Sequence, residues 1–465
     1  MKFYLGAIFL VLFIDVTFQV KNNKNKSSKA ADRCFCKLKG GIDDCTCTVE
    51  TISDINNNKI YPRLKSLLAR NYFRYFKVNL KKPCPFWPDD SRCALKDCHV
   101  DKCKEEEVPI ALKKARENKY SKEAQNEEGC EEERELGALN TSLSDASKQA
   151  FEDWKQYDES QELFCDVDDE SSAGMEYVDL LLNPERYTGY KGDSPQRIWR
   201  SIYDENCFTP QPDIGYGPSK KNSPSINNNI EALCLEKRTF HRLISGLHTS
   251  INIHLCYDYL FQGNNIGYGD VGRWAPNIEE FNRRFDPKTT SGAGPQRLKN
   301  LFFTYLVELR ALAKAAPYLE QEDFFTGDTE EDLSLKEGIK DVLSVIKSFP
   351  DQFDESKLFA GNPVEAKLLK EEFRNHFRNV SRIMDCVGCD KCKLWGKLQT
   401  QGMGTALKIL FSGDDVGPDS TVNAHHKKHF QLTRSEIFTL FNAFGRLSKS
   451  VHSLEKFKSL LNDPM

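Results

Sequence analysis

The chain has 465 residues, 39% hydrophobic and 29% charged, a composition ordinary for a folded globular protein with one or two large domains. A formal net charge of −4, with no groove-like Lys/Arg stripe interleaved with aromatics, excludes a nucleic-acid footprint. Past the N-terminus no segment approaches the roughly 18 apolar residues that a membrane span needs. The mature chain is therefore expected to be soluble and without a transmembrane segment, with peripheral membrane association left open.

Residues 1–20 begin with one basic residue, Lys2, and a short apolar run to Ile14 that Asp15 interrupts, which reads as a cleaved signal peptide. The 16 cysteines that follow belong to an oxidising compartment, where most should be disulfide-bonded. Asn25, Asn140 and Asn379 fit the N-glycosylation acceptor pattern, in keeping with secretory entry. The C-terminus, Asn462-Asp-Pro-Met465, carries no retention tetrapeptide.

In chain order, Cys34-x-Cys36 and Cys45-x-Cys47 flank a Gly40-Gly-Ile-Asp-Asp44 turn. Nested bridges, Cys34 to Cys47 and Cys36 to Cys45, would staple this hairpin. Residues 82–131 are rich in Pro, charge and Cys with almost no apolar periodicity, which predicts a mobile, acidic loop. From about residue 145 the pattern is helical. Phe240, Leu243, Ile244, Leu247, Ile251 and Leu255 recur at i, i+3, i+4, i+7 spacing, and so do Leu298, Leu301, Phe302, Tyr305, Leu309 and Leu312. Further helices are predicted over 364–384, 394–411 and 437–461, the last opened by the capping box Thr433-Arg-Ser-Glu436. Alternating strand patterns are nearly absent, so the fold class is mostly α.

Two dithiols stand out. Cys386, Cys389 and Cys392 form overlapping C-x-x-C pairs just before a helical run, where unpaired amides and the helix dipole stabilise a thiolate. Half of a zinc site matches that spacing equally well. Cys93-Ala-Leu-Lys-Asp-Cys98, in the loop, reads as an exposed, readily reduced pair. A travelling pair and a fixed pair make a two-step electron relay, which needs a terminal acceptor such as a flavin. Gly267-Tyr-Gly-Asp-Val-Gly272 matches G-x-G-x-x-G only as text: a turn precedes it and Pro276 follows, so no Rossmann site is expected. A competing reading is a non-enzymatic, cysteine-rich secretory binding or chaperone protein with purely structural bridges.

Cys93 to Cys98, Pro184-Glu-Arg-Tyr-Thr-Gly-Tyr190, Arg197-Ile-Trp199, Glu236-Lys-Arg238, Leu243-Ile-Ser-Gly-Leu-His248, Gly294-Pro-Gln-Arg-Leu-Lys-Asn-Leu301 and Cys386 to Leu410 together resemble the endoplasmic reticulum oxidoreductin family. The resemblance covers roughly residues 32–461. It implies a monomeric, single thiol oxidase domain (32–465) of the endoplasmic reticulum lumen, a large helical domain holding FAD between core helices. Such an enzyme re-oxidises protein disulfide isomerase and passes electrons to molecular oxygen, giving hydrogen peroxide. Cys93 and Cys98 would be the shuttle disulfide, and Cys389 and Cys392 the flavin-proximal pair. Arg186, Thr188, Trp199, Ser245, His248, Arg284 and Arg297 match FAD-holding positions. Cys103 and Cys130 resemble regulatory cysteines, with Cys93 bonded to Cys130 and Cys98 to Cys103 in the resting enzyme. Cys84 to Cys386 and Cys207 to Cys234 would be structural bridges. Cys165 and Cys256 stay unassigned, Cys256 as a buried thiol and His241 as a core or surface histidine.

Overall fold

An amphipathic helix cannot keep its apolar stripe from water alone, so each of the runs above has to find a partner. The computed structural model describes residues 48–87, 98–109, 112, 163–166, 173–185, 193–205, 235–260, 273–322, 324–349, 363–412 and 432–462. The expected signal peptide, the Cys34–Cys47 and Cys36–Cys45 hairpin, Cys93, Cys130, Arg186, Thr188, the Cys207–Cys234 bridge, Asn25, Asn140 and the Gly267–Gly272 turn lie outside the described residues.

In chain order these residues form α1 (Val49–Ile55), a π-helical turn (Asn56–Ile60), α2 (Tyr61–Leu68), α3 (Asn71–Arg74), β1 (Tyr75–Val78), a 3-10 turn (Glu105–Glu107) and β2 (Glu176–Asp179). Then come α4 (Asp193–Glu205), α5 (Leu235–Leu255), β3 (Tyr257–Leu260), β4 (Arg273–Pro276), α6 (Ile278–Phe285), α7 (Ala293–Leu319) and α8 (Thr329–Lys347). α9 (Pro363–Ile383), a 3-10 turn (Met384–Cys386), α10 (Asp390–Phe411) and α11 (Arg434–Asn462) complete the series. The class is mostly α, and among the described residues the strands form only two antiparallel ribbons, β1–β2 and β3–β4.

The periodic residues form the core. Phe240, Leu243, Ile244 and Ile251 of α5 and Leu301, Tyr305, Leu309 and Leu312 of α7 are buried. The two helices touch where Gly246 faces α7: a Cβ there would collide with the Thr304 hydroxyl and the Asn300 carbonyl. α7 and α11 both pack against α10, the helix that carries the C-x-x-C residues. The capping box forms as read, with the Glu436 amide donating to Thr433 Oγ1 at 3.1 Å and the Thr433 amide to Glu436 Oε2 at 2.9 Å. None of the described helices is long and apolar enough to cross a membrane.

Of the loop expected over 82–131, residues 82–87, 98–109 and 112 are described, and 98–109 and 112 are docked. Val100, Val108 and Leu112 are buried, Lys102 bridges to Val178 of β2, and the Cys103 amide donates to the Tyr177 carbonyl at 2.9 Å. Three apolar anchors at wide, irregular spacing leave no periodic trace in a sequence. They suffice here because the edge of β2 supplies backbone partners for extended chain. Earlier in the chain, the carbonyls of Asn79 and Leu80 accept from Lys397 Nζ (2.9 Å) and Lys393 Nζ (3.1 Å), both from α10.

Candidate active site

α10 opens at Cys389, which is its N-cap in extended conformation with no side-chain cap of its own, and Cys392 is the third helical residue. Both are fully buried. The first amides of a helix lack intrahelical partners, so a thiolate released there meets donors and the positive end of the dipole. One of those amides, from Lys391, donates to the carbonyl of Cys98 at 3.3 Å, which brings the loop cysteine to the helix end.

The sulfurs of Cys98 and Cys389 are bonded, with Cα atoms 5.0 Å apart, and Cys84 is bonded to Cys386 with Cα atoms 4.4 Å apart. Cys392 is a reduced thiol. The Cys98–Cys103 bond implied by the family resemblance is absent in this state, and Cys103 is a free, half-buried thiol. The two cysteines have separate anchors: Cys98 on the Lys391 amide of α10, Cys103 on the Tyr177 carbonyl of β2. Burial, with Asp179 and Glu107 adding negative charge, pushes the Cys103 thiol up to about 11. The zinc alternative loses two of its three ligands, because Cys386 and Cys389 are each in a disulfide.

Cys392 also lines an apolar pocket with Gly396 and Gln399 of α10, Ile198 and Trp199 of α4, Leu247 of α5 and Met384. A Cβ on Gly396 would come within 2.7 Å of Met384 Sδ, so a larger residue there would make the Met384 side chain shift. Trp199 lies flat on His248, ring centroids 3.7 Å apart and planes 5° apart. His248 Nδ1 is 3.3 Å from Tyr203 Oη, and its Nε2 is buried with no partner. Burial, reinforced by the charges of Arg297 and Arg284, keeps this imidazole neutral, well below the usual histidine range. Ser245 Oγ accepts from Asn300 Nδ2 at 2.9 Å. Arg284 and Arg297 are both buried; Arg297 donates to the Arg284 carbonyl at 3.1 Å, and Arg284 Nε to Glu280 at 2.7 Å. Burial works against the charge of Glu280, yet its bonds from Arg283 and Arg284 hold it low, at about 2.

Five of the seven expected cofactor residues are thus described, and Trp199, Ser245, His248, Arg284 and Arg297 converge on one region. Its chemistry suits a group with a flat aromatic system and an anionic pyrophosphate. The rings offer a stacking face, the orphan Nε2 an unmet polar contact, and two buried guanidinium groups an anion site.

Other expected residues fall elsewhere. His241 is buried beside Tyr203 and held down at about 4, first by burial and then by Arg242. Asn379 is a half-buried residue of α9 whose amide donates to Glu205 at 2.8 Å. Cys165 and Cys256 are buried thiols that donate to the carbonyls of Thr400 (3.1 Å) and Asn252 (3.2 Å). Sequence reasoning passed over Tyr203, Gln399, Asn183 and Glu185. Glu185, buried, joins Gln399 of α10 (2.9 Å), His254 of α5 (3.0 Å) and Arg446 of α11. Only their position inside or beside the Pro184–Tyr190 motif could have flagged Asn183 and Glu185.

Comparison with known proteins places the chain among its relatives. Residues 59–454 match the family model of Endoplasmic Reticulum Oxidoreductin 1. The chain is 52% identical over 450 residues to rat ERO1-like protein alpha, covering 95% of each chain, and 53% identical over 447 residues to the human protein, covering 93% of each. It is 49% identical over 478 residues to the Drosophila melanogaster Ero1-like protein, covering 98% of this chain and 96% of that one. Among solved structures it resembles Ero1p, described as the source of disulfide bonds for oxidative protein folding in the cell, with a TM-score of 0.55, 30% identity, and coverage of 90% of this chain and 100% of that one. A family match over most of the chain, on a helical fold with its cysteines gathered at one helix end, leads to one conclusion: the chain belongs to the Endoplasmic Reticulum Oxidoreductin 1 family of disulfide oxidoreductases.

Proposed function

We propose that this protein is an FAD-dependent thiol oxidase of the endoplasmic reticulum lumen that re-oxidises reduced protein disulfide isomerase and delivers the electrons to dioxygen, giving hydrogen peroxide. The observation that carries the reading is the Cys98–Cys389 bond at the N-terminus of α10, with Cys392 three residues on as a thiol in the cavity wall.

That bond is what a relay produces midway. A thiolate of the isomerase attacks the Cys93–Cys98 disulfide, and its second thiol completes the exchange, leaving Cys93 and Cys98 reduced and the isomerase oxidised. The Cys98 thiolate then attacks Cys389 of a Cys389–Cys392 disulfide: the Cys98–Cys389 bond forms, and Cys392 leaves as a thiolate. Attack of Cys93 on Cys98 restores the shuttle disulfide and releases Cys389. No sulfur oxidation state is lost in these steps; an electron pair has moved from the isomerase to the Cys389/Cys392 dithiol. The helix N-terminus favours the leaving thiolate of Cys392 at the step where charge develops. FAD, when bound, would take that electron pair and hand it to dioxygen. Trp199 and His248 would hold its ring systems, Arg284 and Arg297 its pyrophosphate, and Ser245 a polar edge, with Arg186 and Thr188 adding to the same site. The apolar cavity walls would keep water from the reacting sulfur. Cys103 and Cys130 would capture Cys98 and Cys93 as the resting, regulated form.

Purified protein should carry a flavin absorbance band and consume oxygen with reduced isomerase. Cys392→Ala should abolish uptake with isomerase and with small dithiols alike, whereas Cys93→Ala should chiefly impair turnover with the isomerase. Colourless protein, or equal losses for both variants with both substrates, would overturn the proposal.

A further inference from the structure

The amides and carbonyls of extended chain must each find a partner, and at Asp101 both are supplied by one side chain. The Asp101 amide donates to Asn183 Oδ1 at 2.8 Å, and Asn183 Nδ2 donates back to the Asp101 carbonyl at 2.7 Å. A primary amide presents donor and acceptor side by side, as a peptide unit does, so at this residue it replaces a neighbouring strand. The remaining Nδ2 hydrogen goes to the Asp179 carbonyl at 3.0 Å, and Asn183 as a whole is 1% exposed. Asn183 is itself tied to α10, because its carbonyl accepts from Trp395 Nε1 at 2.8 Å. Three residues before Asp101, the Cys98 carbonyl accepts from the Lys391 amide of the same helix, and the intervening Val100 is buried. The segment carrying Cys98 is therefore fastened to the redox helix at two points.

We infer that Asn183 is a positioning residue for the internal thiol–disulfide exchange: by clamping Asp101 toward α10 it keeps Cys98 at Cys389 and away from Cys103. The inference deepens the proposed function and rests on its reading of Cys98 as a shuttle cysteine. The competing reaction is attack of the Cys103 thiolate on Cys98: the Cys98–Cys389 bond breaks, the Cys98–Cys103 bond forms, and Cys389 leaves as a thiolate, with no net oxidation. A disulfide needs Cα atoms within about 4.4–6.8 Å. Five extended residues span roughly 16 Å, and residues 98–103 contain no helix or turn. Joining the two cysteines would pull Cys98 from Cys389 and from the Lys391 amide, and Asp101, which lies between them, is the residue Asn183 grips. The raised thiol of Cys103 works in the same direction, since little of it is thiolate at neutral pH.

The test is a partition measured within one molecule. In full-length protein with Cys93→Ala, Cys130→Ala and Cys392→Ala, Cys98 is left to choose between Cys389 and Cys103. After equilibration in a glutathione buffer and acid quench, peptide mapping by mass spectrometry gives the ratio of the two bonds. Asn183→Ala should lower the Cys389:Cys103 ratio by about tenfold, the scale set by losing a pair of buried hydrogen bonds. Trp395→Phe, which frees Asn183 from α10 without touching the shuttle segment, should shift the ratio the same way by a smaller factor. Cys84–Cys386 should stay fully formed in both. A ratio within twofold of the parent in both variants, or loss of Cys84–Cys386 in step with Cys98–Cys389, would overturn the clamp. A parent that never forms Cys98–Cys389 would instead refute the shuttle reading beneath it.

Discussion

Deleting the Cys84–Cys386 bridge should cost about twice as much stability once Cys98 can no longer bond Cys389. The two bridges span 302 and 291 residues, so either one alone closes a very long loop in the unfolded chain. Together they interleave along the chain. Cys98 lies 14 positions after Cys84 and Cys389 three after Cys386, so the second bridge to form closes a ring of only about 17. Chain-entropy scaling makes closure of that small ring worth about 3 kcal/mol at 25 °C and closure of a loop near 300 residues about 6 kcal/mol. Replacing Cys84 and Cys386 by Ala should therefore destabilise by about 3 kcal/mol in a Cys93→Ala, Cys392→Ala parent, where Cys98–Cys389 is locked. The loss should be about 6 kcal/mol when Cys98 and Cys389 are also Ala. Guanidinium unfolding under non-reducing conditions, followed by tryptophan fluorescence and far-UV circular dichroism, gives the four corners of the cycle. Equal costs in the two backgrounds, to within about 0.5 kcal/mol, would show that the loops are not coupled through the unfolded chain and would refute the reasoning. In the proposed relay this arrangement makes Cys84–Cys386 a tether: if Cys98 leaves Cys389, the long loop stays closed.

Cys103 should alkylate slowly at neutral pH, its rate rising toward a midpoint near 11 rather than the ordinary 9, and Asp179→Asn should move that midpoint down; an unshifted midpoint in the variant would discount the carboxylate. His241 and His254 are held neutral at about 4 and about 3, burial being the largest cause for each. Below 6.5 the unfolded chain takes up protons that the folded state refuses, so stability present above that pH should fall as pH drops toward 4 and 3. A melting temperature that stays flat between pH 7 and 4 would contradict this. Glu185→Ala leaves Arg446 buried opposite no carboxylate and should cost about 3–5 kcal/mol in thermal or chemical unfolding, far more than an exposed pair such as Arg63–Asp341. Gly246→Ala should destabilise by about 1–3 kcal/mol through its collision with Thr304 and the Asn300 carbonyl, and Thr304→Ala should recover only part of that, because the carbonyl cannot withdraw.

What the sequence by itself determined is what depends on near neighbours. Phe240 to Ile251 and Leu301 to Leu312 announce their helices because a 3.6-residue period needs no knowledge of the rest of the chain. Thr433 and Glu436 announce a helix start, and the C-x-x-C spacing announces paired cysteines at a helix end, for the same reason. The residues proposed to hold a cofactor are legible only as a joint match to a family pattern, since a lone histidine or arginine carries no mark of its partner. Tertiary structure decided which sulfurs meet. Cys98 and Cys389 are 291 residues apart, and their bond depends on the docking of residues 98–103 against β2 and α10, which follows from Val100, Asn183 and the Lys391 amide rather than from anything beside Cys98. Asn183 and Glu185 act on groups 82 and 214 residues away, through hydrogen bonds whose strength depends on burial that only the assembled helices create.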